Sequence, residues 1–346
     1  MSAPRRILVV RAGALGDTLM VTPLLRALRT KHPEAEIDVF CSRLAADLLE
    51  LTPKVVLRFS VRYRNLPYAL SPEKWSLVRG LRERGYDFAV LLERAARYRF
   101  LLERAGIREI RSFRERPFDP REHAIVNNLA AAGFERTEDR DMELFLSDAD
   151  RERAATLLGA TNRPRIGIHV GYGPLGRKRH QSERLKGWSP HNFTEVAAGL
   201  LERGASVVFT GSREDRADVE AIRSKVPAAM SLAGRTSPRE LAAVIEGLDV
   251  LVSVDSGPAH LAAAVRTPLV VLWGPAILEQ VRPLSTRSEV ELLRHPPPCA
   301  PCYDTPLMKT CPRNVCMESI SPREVLGRVE LLLDRGSAGL TRASTP

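Results

Sequence analysis

A chain of 346 residues, 44% hydrophobic and 27% charged, has the composition of an ordinary globular protein and the length for two buried cores. No stretch approaches the roughly 18 to 20 apolar residues that span a bilayer as a helix, and the N-terminus enters Ile7-Leu8-Val9-Val10 without a signal-peptide apolar region; this argues against a membrane-spanning protein and for the cytoplasm. The net charge of +10 favours an anionic partner, whether nucleic acid, lipid surface or phosphorylated substrate, and does not choose among them.

Apolar strand-like runs alternate with amphipathic helical patterns along the chain, the signature of parallel α/β architecture. Strands are predicted near 7–10, 36–40, 55–59, 87–92 and 109–112, and the first helical pattern sets Leu19, Leu24, Leu25 and Leu28 on one face. After the breaker-rich stretch Gly159-Ala160-Thr161-Asn162-Arg163-Pro164 the pattern restarts, with strands near 165–170, 206–210, 230–232, 250–254 and 269–273. The expected domains are therefore 1–160 and 161–335, with 336–346 a flexible tail rich in Gly, Ser and Thr. Two doubly wound domains facing each other would put the carboxyl ends of both sheets around one central cleft, where ligands bind in such folds.

The first informative turn is Arg11-Ala12-Gly13-Ala14-Leu15-Gly16-Asp17. Gly13 and Gly16 let the backbone turn and approach a ligand, and Asp17 stands where a helix begins. As an N-cap its carboxylate would satisfy a free N–H; as a general base it would take the proton of an incoming hydroxyl. The spacing Gly13-x-x-Gly16 is not G-x-G-x-x-G, and Asp38 lies inside its strand rather than after it, which argues against a nicotinamide oxidoreductase.

The second turn is Val254-Asp255-Ser256-Gly257-Pro258-Ala259-His260. Ser256 supplies a hydroxyl, Gly257 admits a ligand to the backbone, and Pro258 suits the first helical turn, where free N–H groups and the helix dipole favour a diphosphate. Asp255, Ser256 and Gly257 together exceed what capping a helix needs. His260, four residues beyond Ser256, reads either as a ligand contact or as a hydrogen-bonded histidine packed in the first turn; without a G-x-S-x-G elbow a serine hydrolase is poorly supported. Between the strand near 165–170 and a helix starting at Pro190, a long connection carries Arg177, Lys178, Arg179, Arg184 and Lys186, read either as a phosphate clamp or as a solvated basic loop. Lys186 stands out because Gly187-Trp188-Ser189-Pro190 then opens a helix.

These residues resemble the inverting glycosyltransferases of family 9, which include the ADP-heptose:lipopolysaccharide heptosyltransferases and have a GT-B fold. The resemblance runs from Arg6 to about Leu333. Its most specific parts are Leu232-Ala233-Gly234-Arg235-Thr236, Glu240-Leu241, the run from Val254 to Ala264, and Leu272-Trp273-Gly274-Pro275, together with Gly13 to Asp17 and Pro23-Leu24-Leu25. It implies an acceptor-binding first domain, a second domain for the nucleotide sugar (an ADP-sugar favoured), and transfer without a catalytic metal or other cofactor. Asp17 matches the family's general base, Lys186 the lysine of its K-x-W-P element, and Asp255 to Gly257 its diphosphate turn. Ser189 stands where proline is usual, and the segment before Lys186 is longer and more basic than the usual link. The implied acceptor is a phosphorylated glycolipid of lipopolysaccharide type, met at the inner face of the inner membrane by a peripheral enzyme. Arg94, Arg97, Arg99 and Arg104 could meet such an acceptor or be solvated helix faces.

Cys299-x-x-Cys302 followed by Cys311-x4-Cys316 has a spacing that allows one structural zinc ion held by four thiolates, or free thiols packing a loop beside the donor site. Another sugar or acceptor within the class, and a noncatalytic nucleotide-sugar or anionic-glycan binder, remain alternatives. Specific nucleic-acid binding rests on charge alone, with no aromatic-basic module to support it.

Overall fold

The hydrophobic runs assemble into two parallel sheets, one in each of two units, Met1–Phe145 and Leu146–Pro346. The computed structural model describes residues 3–53, 55–59, 66–135, 139–171, 185–303 and 305–343. Arg177, Lys178, Arg179 and Arg184 lie outside the described residues.

In the first unit, strands β1 (Arg6–Arg11), β2 (Glu36–Cys41), β3 (Val55–Phe59), β4 (Phe88–Leu91) and β5 (Ile110–Ser112) form an all-parallel sheet in the order β3-β2-β1-β4-β5. Ile7, Leu8, Val9 and Val10 of the central strand are all fully buried, as expected where helices cover both faces. The helix Thr22–Lys31 turns Leu24, Leu25 and Leu28 inward. The helix Pro72–Arg84 buries Leu77, Val78 and Leu81; Ser71 caps its start by accepting from the Lys74 N–H, and Gly85, in the left-handed region, ends it.

In the second unit, β6 (Arg165–His169), β7 (Ser206–Thr210), β8 (Met230–Ser231), β9 (Val250–Val254), β10 (Leu269–Leu272) and β11 (Val290–Leu293) run parallel in the order β11-β10-β9-β6-β7-β8. Strand order reverses at β6 and β9, the switch point where such sheets open to ligands. The core gathers Ile166, Ile168, Val207, Phe209, Val252 and Val254 under Phe193, Val196 and Leu200 of the helix Pro190–Glu202 and under Val325 and Val329 of the C-terminal helix.

Three expectations need adjusting. The division falls at Phe145/Leu146, ahead of the expected 160/161, because the helix Asp148–Leu158 packs on the helix Pro238–Glu246 of the second unit and is tied there by Arg239 donating to Asp150 at 2.9 Å. The C-terminal helix runs Pro322–Ala343, so the stretch from 336 continues a helix rather than leaving one; its first turns are anchored by buried Val325, Val329 and Leu332, and propagation from a packed start adds a bond per residue. Strand β11 was not predicted at all.

Candidate functional site

In the first unit the site residues follow β1. The helix Leu15–Leu19 begins at N-cap Ala14, and Asp17 occupies its third position, not its cap. Its Oδ2 accepts from the Ala14 N–H at 2.9 Å while its Oδ1 accepts from Arg11 Nη2 at 2.7 Å. The same guanidinium donates to the Leu92 carbonyl at 2.7 Å, and Glu93, beside it, accepts from the Ala12 N–H at 2.7 Å. Asp17 is thus held at the carboxyl end of the sheet by a cation and a backbone amide, with its side chain still half-buried rather than sealed. Gly13 makes this placement sterically allowed, because a Cβ there would stand 2.5 Å from Asp17 Oδ2. Gly16 is buried inside the short helix, and neither glycine takes the left-handed backbone expected of a sharp glycine turn.

In the second unit Asp255 follows the last residue of β9, Val254, and the helix Gly257–Val265 starts two residues after it with Pro258 in its first turn. Ser256, extended at φ −153° and ψ 171°, is its N-cap by position but makes no side-chain cap bond. Its hydroxyl lies 3.2 Å from that of Ser253 instead. The Ala259 N–H donates to the Ser256 carbonyl at 3.1 Å and Pro258 has no N–H, so with no side-chain cap it is the Gly257 N–H, at the positive end of the helix dipole, that suits an arriving anion. His260 is buried within this helix, and Gly257 is its first residue. Next to β9, His169 ends β6 opposite Ser253; its Nδ1 sits 2.9 Å from Thr210 Oγ1, and burial holds its pKa down to about 4.

Lys186 is brought to the same turn. Trp188 anchors the local chain by burying its ring edge-on to Phe193 and donating from Nε1 to the Ile320 carbonyl at 3.0 Å, while Asn314 Nδ2 donates to Gly187 O at 2.8 Å. Ser189 then caps the helix Pro190–Glu202, with Pro190 as its first residue. Lys186 Nζ donates to Asp255 Oδ2 at 2.6 Å, with the two side chains only 16% and 7% exposed. An acceptor-only carboxylate cannot hold a diphosphate; here Asp255 holds the lysine that can.

The four-cysteine segment covers the adjoining end of β10. The N–H groups of Cys302 and Tyr303 both donate to Pro275 O at 3.0 Å, and Cys302, with Met308 and Cys311, packs against Leu185. Cys299 is exposed; Cys302 and Cys316 are buried, and burial raises both thiol pKa values, that of Cys316 to about 11. Cys311 donates its S–H to the Arg313 carbonyl at 2.9 Å and Cys316 to Asn314 Oδ1 at 3.4 Å. Among the described residues no group of three or more His, Cys, Asp or Glu side chains is set to hold a metal ion.

The profile of glycosyltransferase family 9 (heptosyltransferase) matches residues 74–310. The chain belongs to this family. As a family 9 glycosyltransferase it is an enzyme, and it is similar to lipooligosaccharide heptosyltransferase 2 of Haemophilus influenzae, 26% identical over 320 residues that cover 82% of this chain and 87% of that protein. In fold it is similar to the Escherichia coli ADP-heptose lps heptosyltransferase II, with a TM-score of 0.76, 24% identity and coverage of 96% and 99% of the two chains. It also resembles the E. coli heptosyltransferase WaaC solved with ADP-2-deoxy-2-fluoro heptose, with a TM-score of 0.65, 16% identity and coverage of 94% and 99%. The doubly wound GT-B architecture expected from the motifs is the fold this family 9 chain has.

Two features of this family 9 site escape motif reading. Arg11 opens the first turn in the sequence, but no local signal gives it a role as the partner of Asp17. Tyr303, whose ring centroid lies 4.2 Å from Lys186 Nζ, carried no signal, since the two are joined only through the fold.

Proposed function

We propose that this glycosyltransferase transfers heptose from ADP-heptose to a hydroxyl of a lipopolysaccharide-type acceptor, inverting the anomeric centre and using no metal for catalysis. The observation that carries the donor half is the uncapped start of the helix Gly257–Val265 beside the Lys186 ammonium. In this reading Lys186, the Ser256 hydroxyl and the Gly257 N–H at the positive end of the helix take up the negative charge that grows on the departing diphosphate. Such a contact contributes about 2 to 4 kcal/mol when it strengthens in the transition state. Asp255 anchors Lys186 and leaves its ammonium available on its other sides. His260 supports the helix from within.

Asp17 takes the proton from the acceptor hydroxyl as its oxygen attacks the anomeric carbon from the face opposite the diphosphate. Arg11 and the Ala14 N–H, each bonded to one carboxylate oxygen, hold the carboxylate in one orientation for that proton transfer. The choice of an ADP-sugar is supported by relatives whose names and bound ligands are those of heptosyltransferases.

We also assign the enzyme to an anionic membrane surface, where a lipid-anchored acceptor resides. In support, Leu66, Leu70, Trp75 and Phe100 are exposed on the first unit. Tyr68 meets Phe100 edge to face at 5.6 Å, and Arg104 lies over both rings, with Arg79 and Arg82 exposed on the helix Pro72–Arg84 and Arg97 on the helix Ala96–Arg104.

The test is calorimetric titration with ADP, UDP and GDP, followed by turnover with ADP-heptose. ADP is expected to bind selectively and to lose affinity in Lys186→Ala and Ser256→Ala. Asp17→Asn is expected to keep ADP affinity while kcat falls by about 10² to 10⁴. A protein that binds ADP yet shows no dependence of turnover on Asp17 is a binder or uses another base, and either result overturns the mechanism.

A further inference from the structure

Tyr303 is separated from Lys186 by more than a hundred residues, yet its ring centroid lies 4.2 Å from the ammonium nitrogen. That is well inside the roughly 6 Å over which an aromatic face attracts a cation. The ring is set there by the main chain, because the Tyr303 and Cys302 N–H groups share the Pro275 carbonyl at the turn after β10. Leu185, the neighbour of Lys186, packs against Cys302 and Met308 of the same segment. Tyr303 itself remains 42% exposed, unusual for an aromatic ring used only to fill a core.

We infer that Tyr303 is a positioning residue of the donor site, holding the Lys186 ammonium in reach of a nucleoside diphosphate; the inference rests on the donor reading given above. A lysine facing only Asp255 at 2.6 Å would be held by a full negative charge, which an incoming diphosphate both competes with and is repelled by. The ring face holds the other flank of the ammonium without carrying a formal charge. It restricts a flexible side chain and strips water from it, and leaves its positive charge for the ligand.

The experiment is ADP titration of wild type, Tyr303→Phe and Tyr303→Leu, repeated in a Lys186→Met background, with KM and kcat for the nucleotide sugar measured alongside. Tyr303→Phe keeps the ring and is expected to bind ADP like wild type. Tyr303→Leu is expected to weaken ADP binding about three- to tenfold and to lower kcat/KM for the nucleotide sugar by at least as much, since Lys186 meets the diphosphate as its charge grows. In the Lys186→Met background the same leucine substitution is expected to have no further effect, whereas general damage to the segment would lower affinity in both backgrounds. Equal ADP binding by Tyr303→Leu and wild type, or a loss that persists without Lys186, overturns the inference and leaves the donor reading standing. If wild type binds no nucleoside diphosphate, the donor reading fails first and takes the inference with it.

Discussion

Gly13 shows how much of the arrangement around the proposed base one absent methyl group can decide. Its Cα sits so near Asp17 that a Cβ would come within 2.5 Å of Oδ2 and 2.8 Å of the Asp17 Cβ, while its backbone lies outside the left-handed region and would accept alanine. Gly13→Ala is therefore expected to fold but to push the carboxylate away from Ala14 N–H and Arg11. A shift of about 1 Å at a reacting group costs on the order of 10²-fold in rate. Turnover should fall by that factor while ADP affinity, which the proposed function gives to the second unit, stays at the wild-type value; unchanged kcat would separate Gly13 from the proposed base. At this scale the sequence was a partial guide. Glycine, aspartate and the Asp255-Ser256-Gly257 run announce themselves through residue type and spacing, and Lys186 through the helix start that follows it. Arg11 and Tyr303 act through space, and nothing local marks a strand-end arginine or a loop tyrosine as the partner of a distant side chain.

Among the elements, long buried strands were legible because a parallel strand covered on both faces reads as an unbroken apolar run. Strands β1, β2, β7 and β9 fall within a residue of their predicted bounds. Strand β11 was not legible: it lies at the sheet edge, its Val290, Glu291 and Leu292 are only partly buried, and Glu291 pairs with Arg328 and Arg335 of the C-terminal helix. A charge in the middle of a short run masks such a strand. The breaker-rich stretch from Gly159 was misread as a domain boundary because it ends a helix that already belongs to the second unit. That helix is fastened by Ser147 and Asp150, which form a reciprocal capping box, and by Arg239 reaching Asp150 from the helix Pro238–Glu246. Asp150→Ala removes the box and the cross-helix pair together. It is expected to destabilise the second unit by about 1 to 2 kcal/mol in denaturant unfolding, with no change in ADP affinity for the folded protein. A wild-type midpoint would mean that the helix is held by its apolar face alone.

For the molecule as a whole, the charge of +10 is not spread evenly in its chemistry. Some arginines are spent internally: Arg26 and Arg29 both grip Glu143, and Arg84 binds Asp38. Those around Leu70, which is 67% exposed, and Trp75, which is 44% exposed, stand beside apolar side chains and suit an anionic interface rather than a second copy bearing the same charge. Vesicles containing phosphatidylglycerol should sediment the enzyme and pure phosphatidylcholine should not, with binding reduced by salt. Leu70→Glu combined with Trp75→Glu should weaken that binding by at least about tenfold, without altering ADP affinity; vesicle binding indifferent to the pair would move the membrane face elsewhere. The thiols are graded just as unevenly. Burial raises Cys41 to about 12 and Cys316 to about 11 and also raises Cys302, Cys311 engages a carbonyl, and Cys299 alone of the five is classed as exposed. Cys299 thus offers a solvent-facing attachment point four residues from Tyr303, and with the partly exposed Cys311 replaced by serine a dye coupled at Cys299 would sit on the segment that touches Lys186 and report nucleotide arrival.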